Sequence, residues 1–234
     1  MAQWKSSAYT RQQIATQSLL VLSPFPNSNS FLFRRYFRLV LLCVLVFGAG
    51  CASEPRFTSL PPDGTILAFG DSLTAGNEDY VSSSYPAQLE AMIGRKVINA
   101  GIPGELSAEG LERISRVLDE TNPSLVIILH GGNDLLQGND EQTIYENLKA
   151  MIASAKSRNI QVLLIGVPRP SLLLGGDAPL YEKVARDTGV PYFRNALKDI
   201  LSNGALKADL IHPNAEGNRR LADGVAKFLR ERGI

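Results

Sequence analysis

Histidine, cysteine and tryptophan are scarce in this chain: 234 residues contain two histidines, two cysteines and one tryptophan. The cysteines, Cys43 and Cys51, exclude a disulfide framework, the more so because Cys43 lies in an apolar segment expected to be cleaved away. With only His130 and His212 present, the choice of an imidazole base is narrow. Acidic side chains are missing from the first 50 positions, which hold Lys5, Arg11, Arg34, Arg35 and Arg38. The rest of the chain thus carries 19 of the 24 basic and all 23 acidic residues, net −4 with histidine neutral. Such a body offers no clustered Lys and Arg for a phosphate backbone, which excludes nucleic acid as a partner. Long apolar runs are missing too, since none reaches the ~20 residues of a membrane-spanning helix. No internal repeat or low-complexity tract interrupts what length and composition allow, one well-buried domain.

The N-terminal segment is an address by its layout. Arg34, Arg35 and Arg38 precede the apolar Leu39 to Phe47, and the small residues Gly48, Ala49 and Gly50 precede Cys51. Small residues ahead of Cys51-Ala52-Ser53 resemble a bacterial lipoprotein signal, although Gly48 stands where that pattern has an aliphatic residue. The resemblance implies lipid on the Cys51 sulfur and a location in the cell envelope or periplasm. An organelle transit peptide is the alternative for an acid-free leader. The expected organisation is a leader and signal over 1–50, a linker over 51–63 bearing Pro55, Pro61 and Pro62, and a folded domain over 64–234.

Strand and helix signals alternate along that domain. Apolar runs at Thr65 to Phe69, Val97 to Asn99, Leu125 to Leu129 and Val162 to Val167 are short and rich in Val, Ile and Leu, as strands buried on both faces are. Helical spacing of apolar residues separates them, over Ser84 to Ile93, Ser107 to Glu120 and Asp140 to Ser157, then over Pro179 to Thr188 and Asn214 to Arg232. The alternation predicts an α/β fold, a flavodoxin-like parallel sheet in a three-layer α/β/α sandwich. In such sheets ligands bind beyond the carboxyl ends of the strands.

The chemically capable residues sit at those ends. Ser72, in Gly70-Asp71-Ser72-Leu73-Thr74, follows the first strand, and Asp209-Leu210-Ile211-His212 lies near the end of the chain. A serine hydroxyl needs a base to become a nucleophile, and an imidazole needs a carboxylate to fix its tautomer. An Asp three residues before a His can fold back onto the ring, or merely cap the helix that Pro213 and Asn214 begin. Acyl transfer also needs donors for a developing oxyanion. The Ser72 and Gly104 backbone N–H groups and the Asn133 amide are candidates, each with an alternative reading as a turn residue. His130, ending a buried strand, reads as a structural histidine. The Gly-x-Ser-x-Gly elbow of α/β-hydrolases is absent, and Gly70 to Gly76 lacks the Gly-Lys-Ser/Thr ending of a P-loop.

Taken together these blocks resemble the SGNH (GDSL) hydrolase family from about Thr65 to the C-terminus. Pro103, Glu105 and Leu106 replace the small or polar residues common around the second block's glycine. The resemblance implies Ser72 as nucleophile, His212 as base and Asp209 as its carboxylate, with Ser72, Gly104 and Asn133 as the oxyanion hole. It further implies a small-molecule ester or thioester as substrate, in the manner of arylesterases, thioesterases and lysophospholipases, with no cofactor and no metal. Leu172, Leu173 and Leu174, followed by Gly175 and Gly176, form a candidate apolar lip for an acyl chain, or a turn packed on the core. Three other readings stand beside this one. They are a carbohydrate O-deacetylase of the same fold, a metallohydrolase using Asp71, Asp134, Asp209, His130 and His212, and a catalytically silent binding module in the envelope.

Overall fold

A strand sandwiched between helices needs apolar residues on both faces. β1 (Ile66–Gly70) and β3 (Leu125–Leu129) meet that demand, being buried at every position. They form the centre of a five-stranded, all-parallel sheet in the computed structural model, which describes residues 55–76, 82–169 and 176–234. β2 (Val97–Gly101) is one edge, and β4 (Gln161–Ile165) and β5 (Tyr192–Phe193) complete the other side, giving the order β2-β1-β3-β4-β5. In register, Gly70 stands level with Gly101 and with Leu129, so three strands finish together at their carboxyl ends. The chain moves one way from β1 to β2 and the other way from β2 to β3. Right-handed crossovers therefore lie on opposite faces and leave a crevice beyond β1 and β3.

Helices cover both faces. α1 (Ser72–Ala75) and α2 (Tyr85–Ile93) follow β1, and α3 (Ser107–Thr121) follows β2. Next come α4 (Gly132–Gln137), α5 (Glu141–Lys156), α6 (Pro179–Thr188), α7 (Lys198–Ser202) and α8 (Ala215–Glu231). α2 packs on α8, and α3 packs on α5, which in turn meets α6. Starts follow local chemistry: Asp140 accepts from the Gln142 N–H to cap α5, and Asn214 accepts from the Gly217 N–H to cap α8. α8 then buries Leu221, Val225, Phe228 and Leu229, the face its spacing predicts.

The sandwich and its sheet follow the sequence expectation, with two differences. β5 has only two residues, too few to show a period, and α1, α4 and α7 are as short as four to six residues. The linker expected over 51–63 is corrected from Phe57 onward. The Phe57 N–H donates to the Arg232 carbonyl at 3.0 Å, and Phe57 and Leu60 are buried in the core. Proline in this stretch marks an irregular but packed segment. The chain separates into two units, Met1–Ala52 and Ser53–Ile234, and the described residues belong to the second.

Candidate active site

Gly70 ends β1 where a side chain has no room: a Cβ there would run into the Leu129 carbonyl and the Thr74 hydroxyl. The close approach lets the chain turn at once into α1. Asp71, 1% exposed, caps that turn by accepting from the Leu73 N–H at 3.0 Å, and its carbonyl accepts from the Thr74 and Ala75 amides at 3.0 and 2.9 Å. The Ser72 N–H is left without a protein acceptor among the described residues. Burial pushes the Asp71 carboxyl above the usual range, offset only in part by His130, the Leu73 and Gly132 amides and His212.

The partner of Ser72 comes from the other end of the domain. Residues 207–213 form a closed loop, joined by a bridge between Lys207 and Pro213 and by the Ala208 N–H donating to the His212 carbonyl at 2.9 Å. Inside it Asp209 Oδ1 accepts from the Ile211 and His212 amides, both at 2.8 Å, while Oδ2 lies 2.7 Å from His212 Nδ1. A carboxylate there requires the ring proton on Nδ1, which leaves Nε2 as an acceptor. Nε2 is 2.9 Å from Ser72 Oγ. Desolvation opposes ionisation of Asp209, but the Ile211 amide, the His212 ring and the His212 amide outweigh it and hold the carboxyl below its usual range. The fold-back of Asp209 onto the ring, one of the two readings open for Asp-x-x-His, is the one observed; Asn214 caps α8 alone.

Asn133 follows His130 and Gly131 at the carboxyl end of β3, the second residue of α4. One hydrogen of its amide goes to the Glu105 carbonyl at 3.0 Å. The other finds no protein acceptor among the described residues, and Asn133 lines the same cleft as Ser72 and His212. Gly104 occupies an exposed turn at φ +78°, a left-handed conformation that favours glycine, and a Cβ there would meet open space. Gly104 lines neither of the clefts at Ser72, although its neighbour Pro103 lines one. His130 stands outside the Ser72–His212–Asp209 chain. It is fully buried, with Nε2 2.9 Å from Glu105 and Nδ1 accepting from the Gly131 N–H at 2.8 Å.

Two clefts meet at Ser72 and His212. One, of about 400 Å³, is walled by Leu73, Leu136, Val167, Pro168, Leu201 and Ile211. The other, of about 630 Å³, is lined by Gly76, Pro103, Ala208, Asp209, Pro213 and Asn218. The apolar wall comes from separate elements, each contributing one or two residues, so no local run announces it. Leu172, Leu173 and Leu174, the candidate lip, and Cys51, the candidate lipid attachment, lie outside the described residues. Among the described residues no three His, Cys, Asp or Glu side chains gather to hold a metal ion. Asp134, one of the five considered, instead accepts from the Ser107 N–H and hydroxyl, both at 2.8 Å.

Glu105 and Arg113 form an ion pair beside this site, their side chains 5% and 12% exposed. Burial resists ionisation of Glu105, but hydrogen bonds from His130 and Arg113 outweigh it and leave its carboxyl below the usual range. A carboxylate depressed in the folded state contributes stability above its unfolded pKa of about 4.3, and that contribution is lost as pH falls through the folded value. Thermal melts between pH 6 and pH 3 test this. The wild-type Tm should fall more steeply than that of Glu105→Gln, the gap narrowing by about 2–4 °C for each kcal/mol lost. Parallel curves would contradict the assignment.

Residues 68–220 match the GDSL-like Lipase/Acylhydrolase family. The chain is 30% identical over 211 residues to the thioesterase 1/protease 1/lysophospholipase L1 of Escherichia coli, covering 87% of this chain and 96% of that protein. It is 31% identical over 194 residues to esterase TesA of Pseudomonas aeruginosa, covering 78% and 96%. Among solved structures, AlinE4, described as an SGNH-hydrolase family esterase, superimposes with a TM-score of 0.58 at 32% identity, covering 74% of this chain and 98% of that one.

Proposed function

The chain belongs to the GDSL-like lipase/acylhydrolase family, and from that premise we propose that it hydrolyses carboxylic esters and thioesters through an acyl-enzyme on Ser72. The observation that carries this reading is the unbroken chain Ser72 Oγ to His212 Nε2 at 2.9 Å and His212 Nδ1 to Asp209 Oδ2 at 2.7 Å. His212 Nε2 takes the hydroxyl proton as Oγ attacks the carbonyl carbon. The negative oxygen of the tetrahedral adduct is met by the Ser72 N–H, the free amide hydrogen of Asn133 and the Gly104 N–H. As the adduct collapses, the imidazolium gives its proton to the leaving alcohol or thiol. Water then loses a proton to the same nitrogen, attacks the acyl carbon and releases the acid, returning the proton to Ser72. Asp209 stays ionised throughout and steadies the imidazolium. These steps use side chains and backbone amides alone.

The two clefts divide the substrate between them. The apolar wall of Leu136, Val167, Leu201 and Ile211 suits an acyl chain, and the larger cleft bounded by Asp209 and Asn218 suits the leaving group. Esterase, thioesterase and lysophospholipase are the activities in the relatives' names, and single-chain esters suit that apolar wall. Hydrolysis of p-nitrophenyl esters and acyl thioesters of graded chain length by the purified protein tests the proposal. Turnover that varies with acyl length is expected; no turnover of any ester or thioester would overturn it. A lipid on Cys51, holding the domain to the cell envelope, is proposed from the sequence alone, and radiolabelled palmitate should be incorporated by the wild type and lost in Cys51→Ser.

A further inference from the structure

The Glu105 carbonyl holds the Asn133 amide at 3.0 Å, so the backbone at Glu105 sets where the remaining amide hydrogen of Asn133 points. That backbone is in turn set by its own side chain, which is 5% exposed and held on three bonds. Arg113 grips both carboxylate oxygens, Nε at 2.5 Å and Nη2 at 2.7 Å, and His130 Nε2 approaches at 2.9 Å. The tautomer of His130 is fixed as well. Its Nδ1 accepts from the Gly131 N–H, so Nε2 carries the proton and donates to Glu105. Arg113, from two turns into α3, does more than pair. Its Nη2 also donates to the Ala100 carbonyl at 2.8 Å and the Gly70 carbonyl at 3.2 Å, and its guanidinium lies 4.0 Å from the Phe69 ring centroid.

One part-buried guanidinium thus ties the end of β1, two residues before Ser72, to the end of β2 and to Glu105. Through Glu105 it reaches Asn133, and Glu105 directly follows Gly104. Resting on the serine-esterase reading above, we propose that Glu105 is a positioning residue. The Glu105–Arg113 clamp, seated on His130, fixes the Asn133 amide relative to Ser72, so that this oxyanion donor is in place before substrate arrives. Preorganised donors of this kind are effective because nothing has to move as charge develops. Misplacement by about 1 Å is enough to cost on the order of 10²-fold in rate. Arg113 suits the task because its planar fork serves two carboxylate oxygens and two carbonyls at once, which a lysine ammonium cannot.

The test uses the full chain, a p-nitrophenyl ester and a fluorophosphonate. Glu105→Gln and Arg113→Lys should each lower kcat by about 10- to 10²-fold, with KM changed by less than about threefold, because the defect lies in transition-state contacts. Asn133→Ala alone should cost about 10²-fold, and adding Glu105→Gln to it should cost less than about threefold more, since both changes strike the same donor. A merely structural role for Glu105 would give multiplicative losses in the double variant. Either that result, or wild-type kcat in a folded Glu105→Gln, overturns the inference. Failure of both Glu105→Gln and Arg113→Lys to fold would assign the clamp to stability and overturn it too. Labelling of wild-type Ser72 by the fluorophosphonate separates these outcomes from failure of the esterase reading, which would leave Ser72 unlabelled.

Discussion

Ser72→Ala is expected to lower kcat on the order of 10⁶-fold while leaving Tm within a few degrees of the wild type. The hydroxyl is the bond-forming atom in the proposed reaction, and no other nucleophile stands in its place. Ser72 is half-buried at the meeting of two clefts and among the described residues its side chain bonds only His212, so removing one oxygen opens no core cavity. Activity should therefore vanish from folded protein. A residual rate over water of about 10³-fold, supplied by the oxyanion donors and binding alone, is consistent with the account. Steady-state kinetics on the ester of highest turnover, with melts run alongside, measures both quantities. A folded Ser72→Ala that retains even a tenth of wild-type kcat would contradict the role of the hydroxyl.

Asp209→Asn carries the second-largest expected loss, about 10⁴-fold in kcat. The reason is the tautomer. Asp209 Oδ1 binds the Ile211 and His212 amides and Oδ2 faces His212 Nδ1, so an asparagine can keep the loop by its oxygen and turn its NH2 to the ring. Nδ1 would then have to accept, the ring proton would move to Nε2, and Nε2 could no longer take the proton of Ser72. The Asp209 side chain is 55% exposed, so solvent screens its charge and its Coulombic support of the imidazolium is correspondingly weaker. Most of the predicted loss comes from proton placement. The check is kcat for Asp209→Asn at unchanged KM; a loss below about tenfold would show that the ring keeps its working tautomer without the carboxylate.

The sequence legibly encodes those features whose cause is local. β1 and β3 are unbroken apolar runs because both faces are covered, and α8 shows its buried stripe at helical spacing. Asp209 and His212 are three residues apart, so their pairing is a property of one loop. Ser72 is legible because Gly70 and Asp71 build the turn that presents it. Long-range features were hidden. The Glu105 carboxylate pairs with a residue eight positions on and with His130 just past the end of β3, and Glu105 in sequence registers only as an uncommon neighbour of Gly104. An acidic residue directly after a turn glycine, with Arg two helical turns into the next helix, is the pattern that would have signalled it. The apolar cleft has no such pattern, since Leu136, Val167, Leu201 and Ile211 are brought together only by the sheet order. Phe57 and Leu60 were obscured by the prolines beside them, which read as a linker although the segment packs on the core.

The proposed mechanism turns on one activated hydroxyl, and a fluorophosphonate tests it without knowledge of the natural substrate. The reagent phosphonylates a serine whose proton a neighbouring base can take, losing fluoride as the oxygen–phosphorus bond forms. Peptide mapping by mass spectrometry after treatment of the wild type should find the adduct on Ser72 alone, and His212→Ala should label at least about 10³-fold more slowly. An adduct on another residue, or equal labelling of wild type and His212→Ala, would contradict the Ser72–His212–Asp209 mechanism.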